Sequence, residues 1–305
     1  MIPSLLQIPS AVSDSKLHSV LPNNGKGDFT FDRSTGATRI NKDGLIEEVG
    51  YFSSELVQNG NFSELGSEAL INGDFATDSD WSKGTGWVIM NGYAESDGTN
   101  APLDQVSRLT VGKTYKVVIT VTNMTSSALS VRLGTSSSNA VLSILENGTY
   151  TAYGVAGATT FRIRSQGFDG RVQNVSVKQV DPNDRWSLGT GWSYGDSKAI
   201  SDSTVAFQSL TQFSAISNSN GKTFKVKFTI SDYQSGGVAL YISGFINNSF
   251  FIFANGNYEY NLTVSSGTSG NVEFLTHSGG FKGVISNVSI VEVQGDRPRL
   301  SYDIT

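Results

Sequence analysis

Short runs in which apolar and polar residues alternate cover most of the chain and predict β-strands. In the clearest run, Tyr115–Val121, every second residue is apolar. Because successive side chains of a strand point to opposite faces, this run is expected to bury one face and expose the other. No stretch combines a sustained helical period with capping residues at both ends. The pattern therefore predicts an all-β protein with little helix.

The same apolar phase returns later in the chain, at Phe224–Ile230. A slip of one residue would expose the whole apolar set, so equal phase in both places implies the same buried face. The other predicted strands also form matching pairs, namely Leu129–Leu133 with Val238–Ile242, Phe161–Arg164 with Val272–Thr276, and Val172–Val177 with Val284–Ile290. Strands at this spacing, without helices between them, predict antiparallel sandwiches.

A seven-residue tryptophan repeat relates the two halves of the chain. It reads Trp-Ser-Lys-Gly-Thr-Gly-Trp at Trp81–Trp87 and returns at Trp186–Trp192 with Leu in place of Lys. Both copies together contain all four tryptophans. The distance between the copies is well beyond the roughly 20–50 residues of a solenoid unit, so the repeated unit is a whole domain. The chain is expected to carry two related domains in tandem.

The repeat sets the predicted domain boundaries. Residues 1–55 form an N-terminal segment, 56–181 the first sandwich, 182–293 the second, and 294–305 a linker towards a possible further domain. The N-terminal segment has a β-hairpin signal at Asn41–Gly44. Its apolar residues are too few for independent folding, so we expect it to pack on the next domain, on sister chains or in a larger assembly.

The predicted first sandwich opens with two similar strands. Leu56–Phe62 and Leu70–Phe75 each run from apolar residues into an Asn-Gly turn that ends at a phenylalanine. The second sandwich shows no such opening after residue 182. Its first edge is therefore expected to be built differently or shared with a neighbour.

Composition narrows the function classes. The chain has no cysteine, which excludes disulfides, thiolate catalysis and cysteine-ligated zinc. A net charge of −5 with interspersed signs argues against nucleic-acid binding. No apolar run approaches the roughly 20 residues of a membrane span, and the N-terminal residues lack the pattern of a signal peptide. We expect a protein that does not insert into a membrane and has no export signal of its own.

Longer stretches resemble known protein families. The run Asn72–Trp87, closed by Val172–Val177, resembles a galactose-binding-like jelly-roll module, a type found in carbohydrate-binding modules and in bacteriophage fibre proteins. Three N-terminal runs are similar to the opening of tailed-phage structural proteins, namely Lys16–Pro22, Gly27–Arg33 and Ala37–Glu47. In those proteins a tail such as Arg297–Tyr302 leads into a further lectin-like domain.

The resemblance implies a fold, a location and partners. It implies two tandem jelly-roll β-sandwiches in a virion fibre or decoration subunit, on tail or head. Such a subunit would be made in the cytoplasm of the bacterial host. The N-terminal segment would attach to other virion proteins, and the subunits would form a homo-oligomer, with a trimer favoured. The sandwiches would bind host cell-surface carbohydrate multivalently. The alternatives are a purely structural spacer or capsid-decoration protein without ligand, and the targeting module of a longer depolymerase.

The candidate ligand-binding residues are aromatic and cationic side chains. One tryptophan of each pair, Trp87 in the first sandwich and Trp192 in the second, would stack on a sugar ring. Core packing is nevertheless the favoured interpretation, because tryptophan is highly buried on average. Arg162 and Arg164 would bind an acidic glycan from an outward face that Arg171 shares, although an ordinary solvated face is the default. Tyr241 is a further candidate.

An aromatic-rich stretch in the second sandwich predicts a subunit interface. Phe245, Phe250, Phe251 and Phe253 lie in it, and alternation can bury only about half of them in one sandwich. Exposed apolar patches usually mark contacts between proteins. We expect these phenylalanines to contribute to an interface, with a ligand site as the alternative.

No metal, cofactor or catalytic residue is predicted. Modules of this type often hold calcium with an acidic residue near the last strand, where this chain has Asn174 and Asn287. Asp74, Asp78 and Asp80 lack the spacing of a calcium loop and are typical of a polar turn. Only two histidines exist, and no nucleophile or phosphate-loop motif appears. We expect a non-enzymatic protein.

Overall fold

The computed structural model describes residues 52–244, 251–265 and 269–293, and before them the backbone of five strands. These N-terminal strands form a three-stranded and a two-stranded antiparallel sheet: β1 (Pro9–Ser13), β2 (Lys16–Ser19) and β3 (Phe29–Thr30), then β4 (Thr38–Ile40) and β5 (Ile46–Glu48). β4 and β5 pair on either side of the predicted Asn41–Gly44 turn. The predicted linker 294–305 lies outside the described residues.

The rest of the described chain forms two larger antiparallel sheets. The first contains β6 (Leu65–Glu68), β7 (Ser82–Lys83), β8 (Trp87–Met90), β9 (Tyr93–Asp97), β10 (Pro102–Gln105), β11 (Thr114–Arg132), β12 (Ala140–Ile144), β13 (Gly148–Val155) and β14 (Phe161–Val180). The second contains β15 (Ser187–Leu188), β16 (Trp192–Gly195), β17 (Lys198–Ser203), β18 (Ser209–Gln212), β19 (Thr223–Ile242), β20 (Gly256–Thr263) and β21 (Val272–Val293).

Helical structure in the described residues is limited to a 3-10 turn at Ser137–Asn139. Within the same residues, no helix has the length and apolar character needed to cross a membrane.

Each sheet becomes a sandwich because its longest strands bend. β11 has 19 residues and β14 has 20, far beyond the usual 3–10 of a strand. The pairing of β11 with β14 shifts register between Thr122 and Ser126. Asn123 there has a φ of 52°, a left-handed conformation that asparagine tolerates better than most residues. Such bulges let one strand continue from one layer into the other.

The bends divide each sandwich into two layers. Layer A of the first sandwich contains β13, the first half of β11, the second half of β14, β9, β8 and β6. Layer B contains β12, the second half of β11, the first half of β14, β10 and β7. In the second sandwich, layer A contains β20, β19, β21, β17 and β16, and layer B contains the other halves of β19 and β21 with β18 and β15.

The apolar residues of the predicted phase lie between the layers. Val117 and Ile119 of layer A share one buried cluster with Val131 and Ile163 of layer B. The predicted all-β fold, with two tandem antiparallel jelly-roll β-sandwiches, is confirmed. One detail differs: the pairs of strands predicted at 115–121 and 129–133, and at 161–164 and 172–177, are halves of the continuous bent strands β11 and β14.

The opening residues 52–62 pack on the second sandwich, and the predicted boundary at residue 56 is corrected. Val57 and Phe62 belong to the buried cluster of the second sandwich. The Leu56 amide donates to the Ile290 carbonyl at 2.9 Å, and Phe52 bridges to Val293 at the end of β21. The first sandwich, residues 64–180, is thus inserted between the opening and the remainder of the second.

Both openings make the same contacts. The carboxylate of Glu55 accepts from the Ile290 amide and the Ser289 hydroxyl, and that of Glu68 accepts from the Val177 amide and the Ser176 hydroxyl, all at 2.6 Å. The opening that the second sandwich seemed to lack is therefore Leu56–Phe62.

The Asn-Gly pair of each opening is required by a close approach to the last strand. A Cβ on Gly60 would lie 1.9 Å from the Val288 carbonyl oxygen, and one on Gly73 would lie 2.1 Å from that of Val175. The same glycines accept hydrogen bonds from the Val288 and Val175 amides at 2.8 Å. Only glycine lets the turn dock this closely.

Truncating the two opening phenylalanines is expected to destabilise different sandwiches. Phe62→Ala and Phe75→Ala each remove a fully buried ring, which costs about 3–5 kcal/mol. Hydrogen exchange read by mass spectrometry should show lost protection in residues 181–293 for Phe62→Ala and in residues 64–180 for Phe75→Ala. Loss of protection in residues 64–180 alone for Phe62→Ala would contradict the inserted arrangement.

Candidate functional site

The four tryptophans are core residues. Trp87 is 4% exposed and Trp192 is 7% exposed. Trp87 lies 6.2 Å from Phe168, and Trp192 lies 6.1 Å from Phe281, between ring centroids. No indole face is free for a sugar ring, so the interpretation of Trp87 and Trp192 as stacking platforms is corrected to core packing.

The first tryptophan of each pair closes the opening turn. The indole N–H of Trp81 donates to the Asn72 carbonyl at 2.9 Å, and that of Trp186 donates to the Asn59 carbonyl at 3.1 Å. The ring centroids of Phe75 and Trp81 are 5.1 Å apart, as are those of Phe62 and Trp186. The repeated phrase therefore serves the scaffold.

Arginines gather on the outer face of layer B in the first sandwich. Arg162 on β14 is the register partner of both Arg132 on β11 and Asp104 on β10. Arg162 binds Asp104 with two hydrogen bonds of 2.8 and 2.7 Å and donates from Nη1 to the Thr135 carbonyl at 3.2 Å. The hydrogen bonds that Arg162 donates to Asp104 raise the pKa of Arg162. Arg164 donates from Nη2 to the Asn100 side chain at 2.9 Å.

Arg132 is the residue of this face that the sequence did not single out. It is 7% exposed, and its Nε donates to the Ser130 hydroxyl at 3.0 Å. Burial, followed by repulsion from Arg164 and Arg162, lowers the pKa of Arg132. We name this face, formed by Arg132, Arg162, Arg164, Asp104 and Ser130, the arginine face. Arg171, predicted to share it, lies in layer A, where it pairs with Glu95 at 3.0 Å.

The same face of the second sandwich has a different chemistry. Glu273 on β21 is the register partner of both Tyr241 on β19 and Thr211 on β18. These three residues correspond to Arg162, Arg132 and Asp104 of the first sandwich, in that order. Tyr241 is half-buried. Thus Arg162, Arg164 and Tyr241, all predicted as ligand-binding residues, lie on the outer faces of corresponding layers in the two sandwiches.

Two of the predicted interface phenylalanines flank this second face. Ile252 bridges to Val238 at the edge of layer B, with Phe251 and Phe253 on either side of it. Phe251 packs edge-on against His277 with 4.5 Å between ring centroids, and Phe253 is 51% exposed. Phe245 and Phe250 lie outside the described residues. The role of these phenylalanines in an interface stays a prediction.

The acidic and amide residues considered for metal binding have local partners. Asp78 pairs with Lys83 at 2.5 Å, Asp74 accepts from the Ala76 amide, and Asp80 accepts from the Ser79 hydroxyl. Asn174 and Asn287 have φ angles of 48° and 53°, so each serves a left-handed bend. Among the described residues, no three acidic or histidine side chains are grouped to hold a metal ion.

The junction of the two sandwiches is held by two sets of polar contacts. Asp181, 2% exposed, accepts hydrogen bonds from the Asn59 amide group, the Trp186 backbone N–H and the Tyr194 hydroxyl. Burial, followed by the charge of Asp181, raises the pKa of Tyr194. Asp196 of the second sandwich accepts from Lys116 at 3.0 Å and from the Tyr153 hydroxyl at 2.9 Å, both in the first.

A cavity of about 200 Å³ lies beside this junction. Its lining combines an apolar part, Phe62, Leu65 and Val180, with the Lys116–Asp196–Tyr153 group. The polar atoms of that group are engaged with one another. The cavity is therefore better explained as imperfect packing between two domains than as a binding site.

Comparisons with known proteins find similar structures but do not assign the chain to a protein family. No protein-family model and no curated protein sequence matches the chain. The tandem CBM22-1–CBM22-2 domain of Paenibacillus barcinonensis Xyn10C is 7% identical with a TM-score of 0.25, covering 75% of this chain and 98% of its own.

Two allantoicase structures are also similar. One is 7% identical with a TM-score of 0.29, covering 76% of this chain and 92% of its own. The other, from Saccharomyces cerevisiae, is 8% identical with a TM-score of 0.26, covering 77% and 92%. Identities and TM-scores this low do not place the chain in a family.

The contact between Lys116 and Asp196 is expected to weaken in acid. Hydrogen bonds from Lys116 and Tyr153 lower the pKa of Asp196 below its ordinary value of 3.8. A lowered carboxyl pKa stabilises the folded state above the unfolded pKa, and this stabilisation is lost as the pH falls through the folded pKa. Urea unfolding in a double-mutant cycle of Lys116→Met and Asp196→Asn should give a coupling of about 0.2–1 kcal/mol at pH 7.

The coupling should shrink at the lowest pH at which the protein stays folded. The pair Lys282 and Asp202, which lies within the second sandwich, provides a matched cycle for surface charge effects. An unchanged coupling between neutral and acid pH would show that the coupling of Lys116 and Asp196 does not depend on the charge of Asp196, which would contradict the prediction.

Proposed function

We propose that the protein is a non-enzymatic structural protein of a tailed-bacteriophage virion, a fibre or decoration subunit of tail or head, whose sandwiches attach to host-surface glycans. One observation carries the binding role: the two sandwiches repeat their scaffold contacts residue by residue but differ on the outer face of layer B. The virion location and the fibre or decoration role rest on the resemblance of the N-terminal runs and of the jelly-roll stretch.

The contrast between scaffold and face is marked. The opening glutamate, the Asn-Gly turn, the phenylalanine and both tryptophans keep their partners in both copies. On the outer face of layer B, Arg132, Arg162 and Arg164 are replaced by Tyr241, Glu273 and Leu275. Packing constrains the scaffold contacts, whereas the outer faces are free to acquire different ligands. Two such faces in one chain suit a protein that binds more than one surface group.

The junction supports multivalent attachment. Contacts through Asp181 and Asp196 restrict the relative motion of the two sandwiches. Sites held at a fixed separation gain avidity when that separation matches the spacing of the ligand groups. In the proposal the N-terminal segment binds other virion proteins, and assembly into a homo-oligomer, with a trimer favoured, multiplies the number of faces.

A spacer without ligand is the second candidate. The observation that favours it is the same junction, because buried tryptophans and interdomain hydrogen bonds would also stiffen a fibre. The two candidates differ in what the outer faces do. A spacer needs only solvated faces, whereas an attachment protein needs a ligand on at least one of them.

Binding of the full chain to purified bacterial surface polysaccharides separates the two candidates. The attachment protein is expected to bind at least one polysaccharide, and the full chain should bind more tightly to a dense surface than to a sparse one because of avidity. Surface plasmon resonance at two ligand densities measures both properties. A folded full chain that binds no surface polysaccharide and no host cells would favour the spacer.

A further inference from the structure

We infer that the arginine face of the first sandwich is the binding site for a carboxylate-bearing saccharide, with Arg132 as its central anchor. The inference rests on the proposed function and specifies the ligand class of one of its two faces. It starts from a buried cation that the described part of the protein does not neutralise.

Arg132 is charged, more than nine-tenths buried and without a carboxylate partner among the described residues. Its hydrogen bond there is the one from Nε to the neutral Ser130 hydroxyl. Burying a guanidinium is costly unless an opposite charge and hydrogen bonds replace water. The stem of Arg132 packs on the sheet, while its terminal nitrogens, which have no partner among the described residues, remain open to solvent and so to a ligand.

The neighbours of Arg132 add to its charge. Arg162 stands opposite it across the β11–β14 ladder, and Arg164 stands opposite Ser130. Asp104 neutralises Arg162 through two hydrogen bonds. Arg164 makes its described hydrogen bond to the neutral Asn100. Three guanidinium groups therefore share one carboxylate, and the face has an excess of positive charge.

The unused donors fit a carboxylate. Arg162 donates from Nε and Nη2 to Asp104 and from Nη1 to the Thr135 carbonyl, and these bonds hold its side chain in place. Among the described residues, both terminal nitrogens of Arg132 and the Nε and Nη1 of Arg164 are without a protein partner. The planar fork of a guanidinium binds the two oxygens of a carboxylate bidentately, with geometric selectivity.

Hydroxyl groups beside these donors fit a sugar. Ser130 is the register partner of Ser143 on β12, so the two side chains lie on the same side of the sheet. Ser82 on β7 is the register partner of Asp104 at the other end of the row. Hydroxyls both donate and accept hydrogen bonds and therefore match sugar hydroxyls. A sugar acid offers both a carboxylate and hydroxyls in one residue.

The second sandwich supplies an internal contrast. Its equivalent face holds Tyr241, Glu273 and Leu275, with no arginine on these positions. The Glu273 carboxylate would repel an acidic ligand. Binding of the acidic saccharide is therefore expected in the first sandwich, and variants of Glu273 should leave it unchanged.

The test uses the full chain, an oligosaccharide of uronic acid residues, and the same oligosaccharide with its carboxyl groups reduced to alcohols. Isothermal titration calorimetry should show binding of the acidic form and at least about tenfold weaker binding of the reduced form, as expected for a charge-assisted bidentate pair. A sulfated oligosaccharide distinguishes a carboxylate site from a general anion site. Equal affinity for the carboxylated and sulfated forms would overturn the assignment to a carboxylate.

Three variants test the anchor. Arg132→Gln should weaken acidic binding at least about tenfold, and Arg132→Lys should restore part of it because a charge returns without the fork. Arg171→Gln is the matched control, since Arg171 is an arginine of the same sandwich that pairs with Glu95 in layer A. Its affinity should equal that of the wild type. Equal affinity for wild type and Arg132→Gln would overturn the inference.

Thermal stability separates a binding role from a structural one. Removing a buried charge without a counter-ion should leave the melting temperature of Arg132→Gln equal to or above that of the wild type, a common relation at functional sites. A lower melting temperature together with unchanged binding of the acidic oligosaccharide would assign Arg132 to the scaffold and overturn the binding role.

Failure of this inference and failure of the proposed function give different results. If wild type binds a neutral polysaccharide but no acidic one, the attachment function stands and the arginine face is not its site. If no polysaccharide binds, a titration with glucuronate tests whether the arginine face binds an anion at all. The Arg Nε–H resonances in NMR spectra report this binding. Shifts confined to Arg132 and Arg164 would support it, and unshifted resonances would refute it.

Discussion

The packing of an opening phenylalanine on the first tryptophan of each repeat is the contact on which the scaffold depends. It fixes the Asn-Gly turn against the last strand and closes the core at one end of each sandwich. In the second sandwich, the hydrogen-bonded partners Asn59 and Trp186 are 127 residues apart along the chain. The whole first sandwich must therefore fit between them, and both of its ends must meet at one place, where Asp181 binds the opening turn and the re-entering strand together.

This constraint separates the parts of the protein that must be alike from those that are free to differ. Glu55 and Glu68 bind the last strand of their sandwich in the same way, and Gly60 and Gly73 leave no room for a side chain. The first tryptophan of each repeat donates to the opening turn in both copies. The outer faces of layer B do not make these scaffold contacts, and there the two copies differ. The first sandwich has a row of arginines, and the second has a tyrosine and a glutamate in the same places. In the proposed attachment role, the scaffold fixes the positions at which the two different faces are presented.

The sequence predicted the local features well and the long-range ones poorly. Alternation at 115–121 and 224–230 gave the buried faces, because strand phase is a local property. The partner of Leu56–Phe62 was missed because its contacts lie beyond residue 180, and proximity along the chain favoured the first sandwich. Arg132 was missed although the signal was present: the apolar Leu129, Val131 and Leu133 place it outward beside Arg162. For Trp87 and Trp192 the average burial of tryptophan favoured core packing over sugar stacking, but the rings that cover each indole are set by tertiary packing.

The most direct test of this division is a map of where ligand contacts the protein. Backbone amide NMR shifts of the full chain, recorded during titration with the acidic oligosaccharide, would provide it. The account predicts that the shifted amides cluster on β10, β12 and the layer B halves of β11 and β14, around Arg132. Shifts centred instead on the tryptophan turns at 81–87 and 186–192, which both copies share, would contradict it.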